Sequence, residues 1–314
     1  MITRIRKVVT LLFVALVLVQ CRDQYDYTDR LNKVNGLDKQ AYNYENPYHD
    51  FMVLNDEASK QIIPPLPVPK VHDDARIKER VCVAICVRNC GRFLENSLSR
   101  LESICSCFQQ SSIVFYENGS SDNSRKKLES YCKANKNAIL IKEDYDISQY
   151  PRTVRLARGR NLCLDICKKM KPEYTVVLDL DDVIQGLEVE SFLTAFDQPY
   201  EWDALFGNQK GTYYDLWALR TYDCWMQYDL WEAITWIPWE EVFVPSCFRN
   251  VPKEAVIPVI SAFGGLAIYK QASLENCFYY GHKNYRECCE HVHLHKQMVN
   301  KRKKLFILGS LINH

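Results

Sequence analysis

The chain has 314 residues, 47% of them hydrophobic, enough for one large or two small domains with a sizeable core. Its 40 basic residues balance 39 acidic ones to a net charge of +1, which removes any general electrostatic reason to expect a nucleic-acid partner. There are 14 cysteines but no CxxC pair, so a structural zinc site of the usual spacing is not expected.

Arg4, Arg6 and Lys7 precede the apolar run Val8–Val19, a charged n-region followed by a segment of signal-peptide length. It is short for a spanning helix, which takes about 20 residues. The basic flank would hold its own end in the cytosol and place the rest across the membrane. Residues 1–21 are read as a signal anchor or signal peptide. A single-pass type II protein of the ER or Golgi membrane is expected, secreted if the segment is cleaved. Residues 22–76 are polar and tyrosine-rich and end in IIPPLPVPK, where Pro64, Pro65, Pro67 and Pro69 exclude helix and central strand. This reads as a stem, followed by a folded domain at 77–300 and a C-terminal tail at 301–314.

Val81–Val87 (VCVAICV) is a continuous apolar run, the pattern of a strand buried on both faces in a parallel sheet. The turn Arg88-Asn89-Cys90-Gly91 leads into Phe93, Leu94, Leu98, Leu101 and Ile104 at helical spacing. The unit repeats as strand Ile113–Tyr116, turn ENGSSDNS (117–124) and helix Arg125–Lys133. A third strand, Ala138–Ile141, precedes RTVRLARGRNLCLDICKKM, whose Leu156, Leu162, Leu164 and Ile166 suit an amphipathic helix. The alternation predicts an α/β domain with a mostly parallel sheet and helices on both faces, with ligands at the carboxyl ends of the strands. Cys82, Cys86, Cys163 and Cys167 fall at core positions and read as small buried hydrophobes. Cys224, Cys247, Cys277, Cys288 and Cys289 could pair in a lumenal chain.

The fourth strand, Tyr174–Leu178, runs directly into Asp179, Asp181 and Asp182. Three carboxylates at the end of a buried strand repel one another and need a counter-charge. A divalent cation shared with substrate phosphate supplies one, and a solvated acidic turn is the plain alternative.

In order, apolar strand–RN–helix, strand–ENGSSDNS, RGRN–helix and VVLDLDDV resemble the nucleotide-sugar-binding half of the GT-A glycosyltransferases. The pattern is closest to the family 2 type with its DDGSxDxS, ARN and DxDD landmarks, and it spans Val81 to Val183. YYDLWALR (213–220) and FGGLAIY (263–269) more loosely resemble segments of fungal capsule-type mannosyltransferases. The resemblance implies a GT-A, Rossmann-like fold and a sugar transferred from a UDP- or GDP-sugar to a glycan or glycoprotein hydroxyl, with Mn2+ or Mg2+. It implies that Glu117 reads the uracil or ribose of the donor, that Asp122 is the donor-binding acid of GSxD in the same loop, and that Arg158 and Asn161 match the ARN helix, the arginine facing the diphosphate. Asp181 would bind metal, Asp179 ribose or metal, and Asp182 would orient the donor sugar. Arg88 lies at the same sheet edge. Gly264 and Gly265 would let backbone approach the donor.

Family members of inverting type carry a late ED base, and Cys289-Glu290-His291 is the comparable stretch. Glu290 is the candidate base, and His291, where aspartate is common, is a candidate third metal ligand. His293 and His295, beside the basic run Lys301–Lys304, read equally as an exposed polar tail. Trp217, Trp225, Trp231, Trp236 and Trp239 suggest either an acceptor wall or ordinary core. Trp217 and Trp239, with Asp215, are the acceptor-binding candidates. Two rivals remain from the residues themselves. VVLDLDDVI also resembles the first motif of haloacid dehalogenase-type phosphatases, with Asp179 as nucleophile, although that motif ordinarily opens its domain. A non-catalytic sugar-binding module is the other.

Overall fold

The computed structural model describes residues 48–54, 57–144, 147–223, 225–227, 229–233, 248–283 and 286–313. The expected anchor, the stem up to residue 47, Trp236, Trp239, Cys224 and Cys247 lie outside them. Among the described residues no helix is long and apolar enough to cross a membrane.

Helices α1 (His49–Met52) and α2 (Glu57–Ile62) and a short strand β1 (Lys70–Val71) come first. Then β2 (Ile77–Val87), α3 (Leu94–Cys105), β3 (Phe108–Asn118), α4 (Ser124–Ala134), β4 (Ala138–Glu143), α5 (Arg152–Met170) and β5 (Tyr174–Leu178) alternate as expected. The second half runs through α6 (Val189–Leu193), β6 (Ala204–Asn208), β7 (Arg220–Thr221), α7 (Leu230–Ala233), β8 (Val256–Ser261) and β9 (Leu266–Lys270). It ends with the ribbon of β10 (His282–Lys283) and β11 (Arg286–Glu287), then α8 (Glu290–Asn300) and β12 (Leu305–Ile312).

Among the described residues the main sheet has ten strands in the order β1-β3-β2-β5-β9-β6-β12-β8-β7, with β4 also on β3. Strands β4, β3, β2 and β5 are mutually parallel, with Val83 opposite both Ile113 and Val176. Past β5 the sheet is mixed, because β9 runs antiparallel to both β5 and β6. Val81, Val83, Ile85 and Val87 pack with Leu94, Leu128 and Phe192 of α3, α4 and α6. Cys82 and Ala84, on the opposite face, pack with Leu162 of α5 and Leu294 of α8. Helices on both faces explain why β2 reads as an unbroken apolar run.

Three expectations change. The folded part begins before Ile77: Phe51 and Met52 are buried in the core, and β1 pairs with β3. The expected tail holds β12, a central strand parallel to β6 and antiparallel to β8, with Leu305, Ile307 and Leu311 buried. And α5 is not amphipathic through its middle: residues 157 to 164 are all buried, Arg158 and Arg160 included. Gly159 permits this, since a Cβ there would stand 2.3 Å from the Tyr116 ring of β3.

Candidate active site

The parallel strands end along one edge, and that edge carries Arg88, Glu117, Asp144 and Asp179 just beyond or at the ends of β2, β3, β4 and β5. An open cavity of about 370 Å³ lies there, lined by Arg88, Asn118, Gly119, Ser120, Arg125 and Asp144 among others. Fully buried Glu117 holds two of these lining residues: its carboxylate accepts from the Arg125 guanidinium and from the Ser120 amide at 2.7 Å. Arg125 also pairs with Asp144. Asp122 accepts from the Ser124 and Gly91 amides, both at 2.9 Å, and so ties the ENGSSDNS loop to the turn after β2. Burial opposes it, yet hydrogen bonds from the Ser124 side chain, then from the Ser124 and Gly91 amides, hold the Asp122 carboxyl below its ordinary range.

The second group of side chains surrounds the end of β5. Arg160 of α5 donates from Nε to Glu290 Oε1 at 3.0 Å and from Nη2 to Asp179 Oδ1 at 3.3 Å. Burial opposes its charge, but the two carboxylates push the guanidinium well above its ordinary pKa. Burial drives the Asp179 carboxyl up, Arg160 pulls it back, and with Asp181 and Glu290 nearby it stands at about 6. Asp181 is raised as well, by burial and by Asp182, against the hydrogen bond that it accepts from Val183 N. Asp182 is exposed in the following turn.

Gly264 and Gly265, at φ 64° and 84°, form the turn facing these carboxylates. The Gly265 carbonyl accepts from the Asp179 amide at 3.0 Å, and the Gly264 amide donates to half-buried Asp215 at 2.9 Å. Asp215 also accepts from Ala218 N. It therefore fastens this turn to the 213–220 segment, with neighbouring Tyr214 exposed at the surface.

Several expected roles move. Arg158 does not face the site: it is fully buried, donates to Glu143 at 2.6 Å and to the Phe51 carbonyl, and lies over the Phe51 ring. Asn161 exchanges hydrogen bonds with the Tyr279 backbone and also donates to Met52 O, so it too is structural. The arginine at the site is Arg160, which sequence reasoning passed over. Its signal was adjacency, since Arg160-Asn161 is the RN step of the landmark. Trp217 is partly buried against Trp231, with centroids 4.7 Å apart, and Trp225 packs on Tyr213 inside the core.

His291 is buried, stacked on Phe263 at 3.9 Å, and neither ring nitrogen has a hydrogen-bond partner. Among the described residues no three of His, Cys, Asp and Glu converge as a metal-ligand set. His291 is therefore not assembled with Asp179 and Asp181 as a third ligand. Two carboxylates just past the strand end, both raised chiefly by burial and each with a further carboxylate beside it, still fit a cation, the remaining coordination coming from substrate oxygens or water. The late histidines are not tail either: His295 is held between Ser261 Oγ at 2.8 Å and the Tyr269 hydroxyl at 2.7 Å. The phosphatase reading loses its basis, because β5 is preceded by three parallel strands, and Asp179 is engaged by Arg160.

The sequence model described as Glycosyl transferase family 2 matches residues 82–275. No curated protein matches the chain. Among solved structures it is similar to Staphylococcus aureus TarS 1–349, at 15% identity and TM-score 0.44, covering 73% of this chain and 58% of that one. It is also similar to the mannosyltransferase PcManGT from Pyrobaculum calidifontis, in complex with GDP-Man and Mn2+, at 11% identity and TM-score 0.46, covering 85% and 64%. GalNAc-T7 with UDP, GalNAc and Mn2+ gives 13% identity and TM-score 0.42, covering 76% and 43%. The chain thus spans less than two thirds of each of these structures.

Proposed function

The chain belongs to glycosyl transferase family 2, and on that premise we propose that it moves a sugar from a nucleoside diphosphate donor, UDP- or GDP-linked, to a hydroxyl of a glycan or glycoprotein. The observation that carries this reading is the single guanidinium of Arg160 holding Asp179 and Glu290 together. It joins the strand edge that takes the donor to the one buried carboxylate at the start of α8.

In this reading the cavity beside Arg88, Asn118 and Arg125 takes the nucleoside, and Asp179 and Asp181 would hold Mn2+ or Mg2+ for the diphosphate. When bound, the metal supplies positive charge against the charge developing on the leaving diphosphate. Glu290 accepts the proton of the attacking acceptor hydroxyl. Arg160 balances the Glu290 carboxylate before that proton arrives, and Asp182 orients the donor sugar. The Gly264-Gly265 turn lets backbone approach the sugar where a side chain would block it. We extend the proposal to a secretory location, on the strength of the basic and apolar N-terminal pattern alone.

The test is a screen of UDP- and GDP-sugars with Mn2+ and Mg2+, read by release of the nucleoside diphosphate, with Asp181→Ala expected to abolish it. If no nucleotide sugar is turned over or bound with any divalent metal, the reading fails.

A further inference from the structure

Strand β2 and helix α5 face each other with two cysteines apiece, Cys82 and Cys86 on the strand, Cys163 and Cys167 one turn apart on the helix. Neither the sugar nor the metal chemistry uses them. Cys82 and Cys167 are both fully buried, and their sulfur atoms stand 2.6 Å apart. Two unbonded thiols do not approach so closely, since carbon-sized atoms already meet at about 3.5–4.0 Å. Cys163 lies against the other strand cysteine, Cys86, and its sulfur also points to the Ile85 and Val114 carbonyls at 3.8 Å each. The register between the two elements therefore sets Cys82 against Cys167 and Cys86 against Cys163, and the first pair is the one whose sulfur atoms stand 2.6 Å apart.

We infer that Cys82 and Cys167 are joined by a disulfide that staples α5 to β2. The consequence for the site is positional. Strand β2 delivers Arg88 at its end and α5 delivers Arg160, so the bond sets the height of one arginine against the other.

The chemistry balances by exchange with a disulfide oxidant, either a protein dithiol oxidase or glutathione disulfide. One cysteine attacks the oxidant disulfide as thiolate and displaces one of its sulfurs. The second cysteine then attacks the mixed disulfide and displaces the other. Two thiol protons are lost, and two electrons pass to the oxidant, which leaves as two thiols. Burial raises the Cys167 thiol well above its ordinary pKa and closes both sulfurs to solvent. Exchange therefore belongs to folding, before α5 has docked, and the finished bond resists reduction until the protein unfolds.

The loop closed by this bond spans 85 positions of chain, long enough for a large effect on stability. The full chain is refolded in a glutathione redox buffer, its free thiols are alkylated under denaturing conditions, and the digest is analysed without reduction. A peptide pair linked Cys82 to Cys167 is expected in most of the molecules. Wild type refolded in the presence of reductant should melt about 10 °C below wild type refolded in the redox buffer, and Cys82→Ala/Cys167→Ala should melt at the same temperature after either treatment. Alkylation of both cysteines, or linkage of either to a different cysteine, overturns the inference. The mass measurement uses wild-type protein alone, so a variant that fails to fold does not blunt it.

Discussion

Arg160 donates to Glu290 across 3.0 Å, although the two lie in helices on either side of β5 in the chain and both are buried. The same guanidinium reaches Asp179, so one positive charge serves two carboxylates. Removing one partner of such a cluster leaves buried charge uncompensated, at a cost of about 3–5 kcal/mol. Arg160→Gln is expected to lower kcat by about 100-fold or more while changing the donor KM less. Arg160→Lys, which keeps the charge but not the fork, should recover part of the loss. Steady-state kinetics corrected for folded fraction decide this, and unchanged kcat in Arg160→Gln would remove Arg160 from the site.

Arg158 supplies the contrast. It is fully exhausted by the fold, paired with Glu143, itself bonded by Tyr116, and donating to Phe51 O. Arg158→Ala should cost about 3–5 kcal/mol in urea denaturation. The fraction that stays folded should bind donor with a KM close to wild type. Replacing both partners, as Arg158→Met/Glu143→Leu, should restore much of the stability. A donor KM raised tenfold in the folded double variant would put Arg158 back at the diphosphate.

These two arginines also show what was legible in the sequence. The βα units up to β5 were readable because VCVAICV, IVFY and YTVVL are apolar runs separated by turn residues, and the acidic strand end stood out against them. The phase of α5 was not. Residues two apart on a helix point to opposite sides, and a helix buried on every side offers no polar face to tell which arginine goes where. Strand β12 was hidden because LFILGSLI follows the basic run Lys301–Lys304 at the chain end, and only its parallel pairing with β6, a hundred residues earlier, makes it central. Phe51 and Met52 were hidden similarly, since their partners lie on α5 and near Tyr279.

Acid should destabilise the fold through His295. Burial, and then the charge of Arg160, hold its imidazole at about 3 in the folded protein, against an ordinary 6.5. Below pH 6.5 the unfolded chain takes up a proton that the folded site refuses until about pH 3. Stability therefore falls as pH drops through that window, by about 1.4 kcal/mol per unit at most. Asp179 acts oppositely: with a folded value of about 6 it favours the fold at acid pH. The informative quantity is thus the difference between wild type and His295→Gln at each pH. The variant should lose less Tm than wild type between pH 7 and pH 4, and parallel curves would show that His295 is not the group responsible.

Gly265 offers the sharpest test of the turn that faces the carboxylates. Its φ of 84° lies where a side chain is strained, and a Cβ there would meet Val183 Cγ2 at 2.6 Å. Backbone strain and overpacking together should cost Gly265→Ala about 3 kcal/mol. The displacement would not stay local, because the Gly265 carbonyl holds the Asp179 amide and the neighbouring Gly264 amide holds Asp215. Loss of nucleotide-sugar turnover should therefore exceed what the unfolded fraction explains. Adding Val183→Ala removes the overlap but leaves the strained φ, so it should return about half of the stability. Urea midpoints for the single and double variants measure both parts, and a Gly265→Ala protein as stable as wild type would mean that the turn adapts and does not position Asp179.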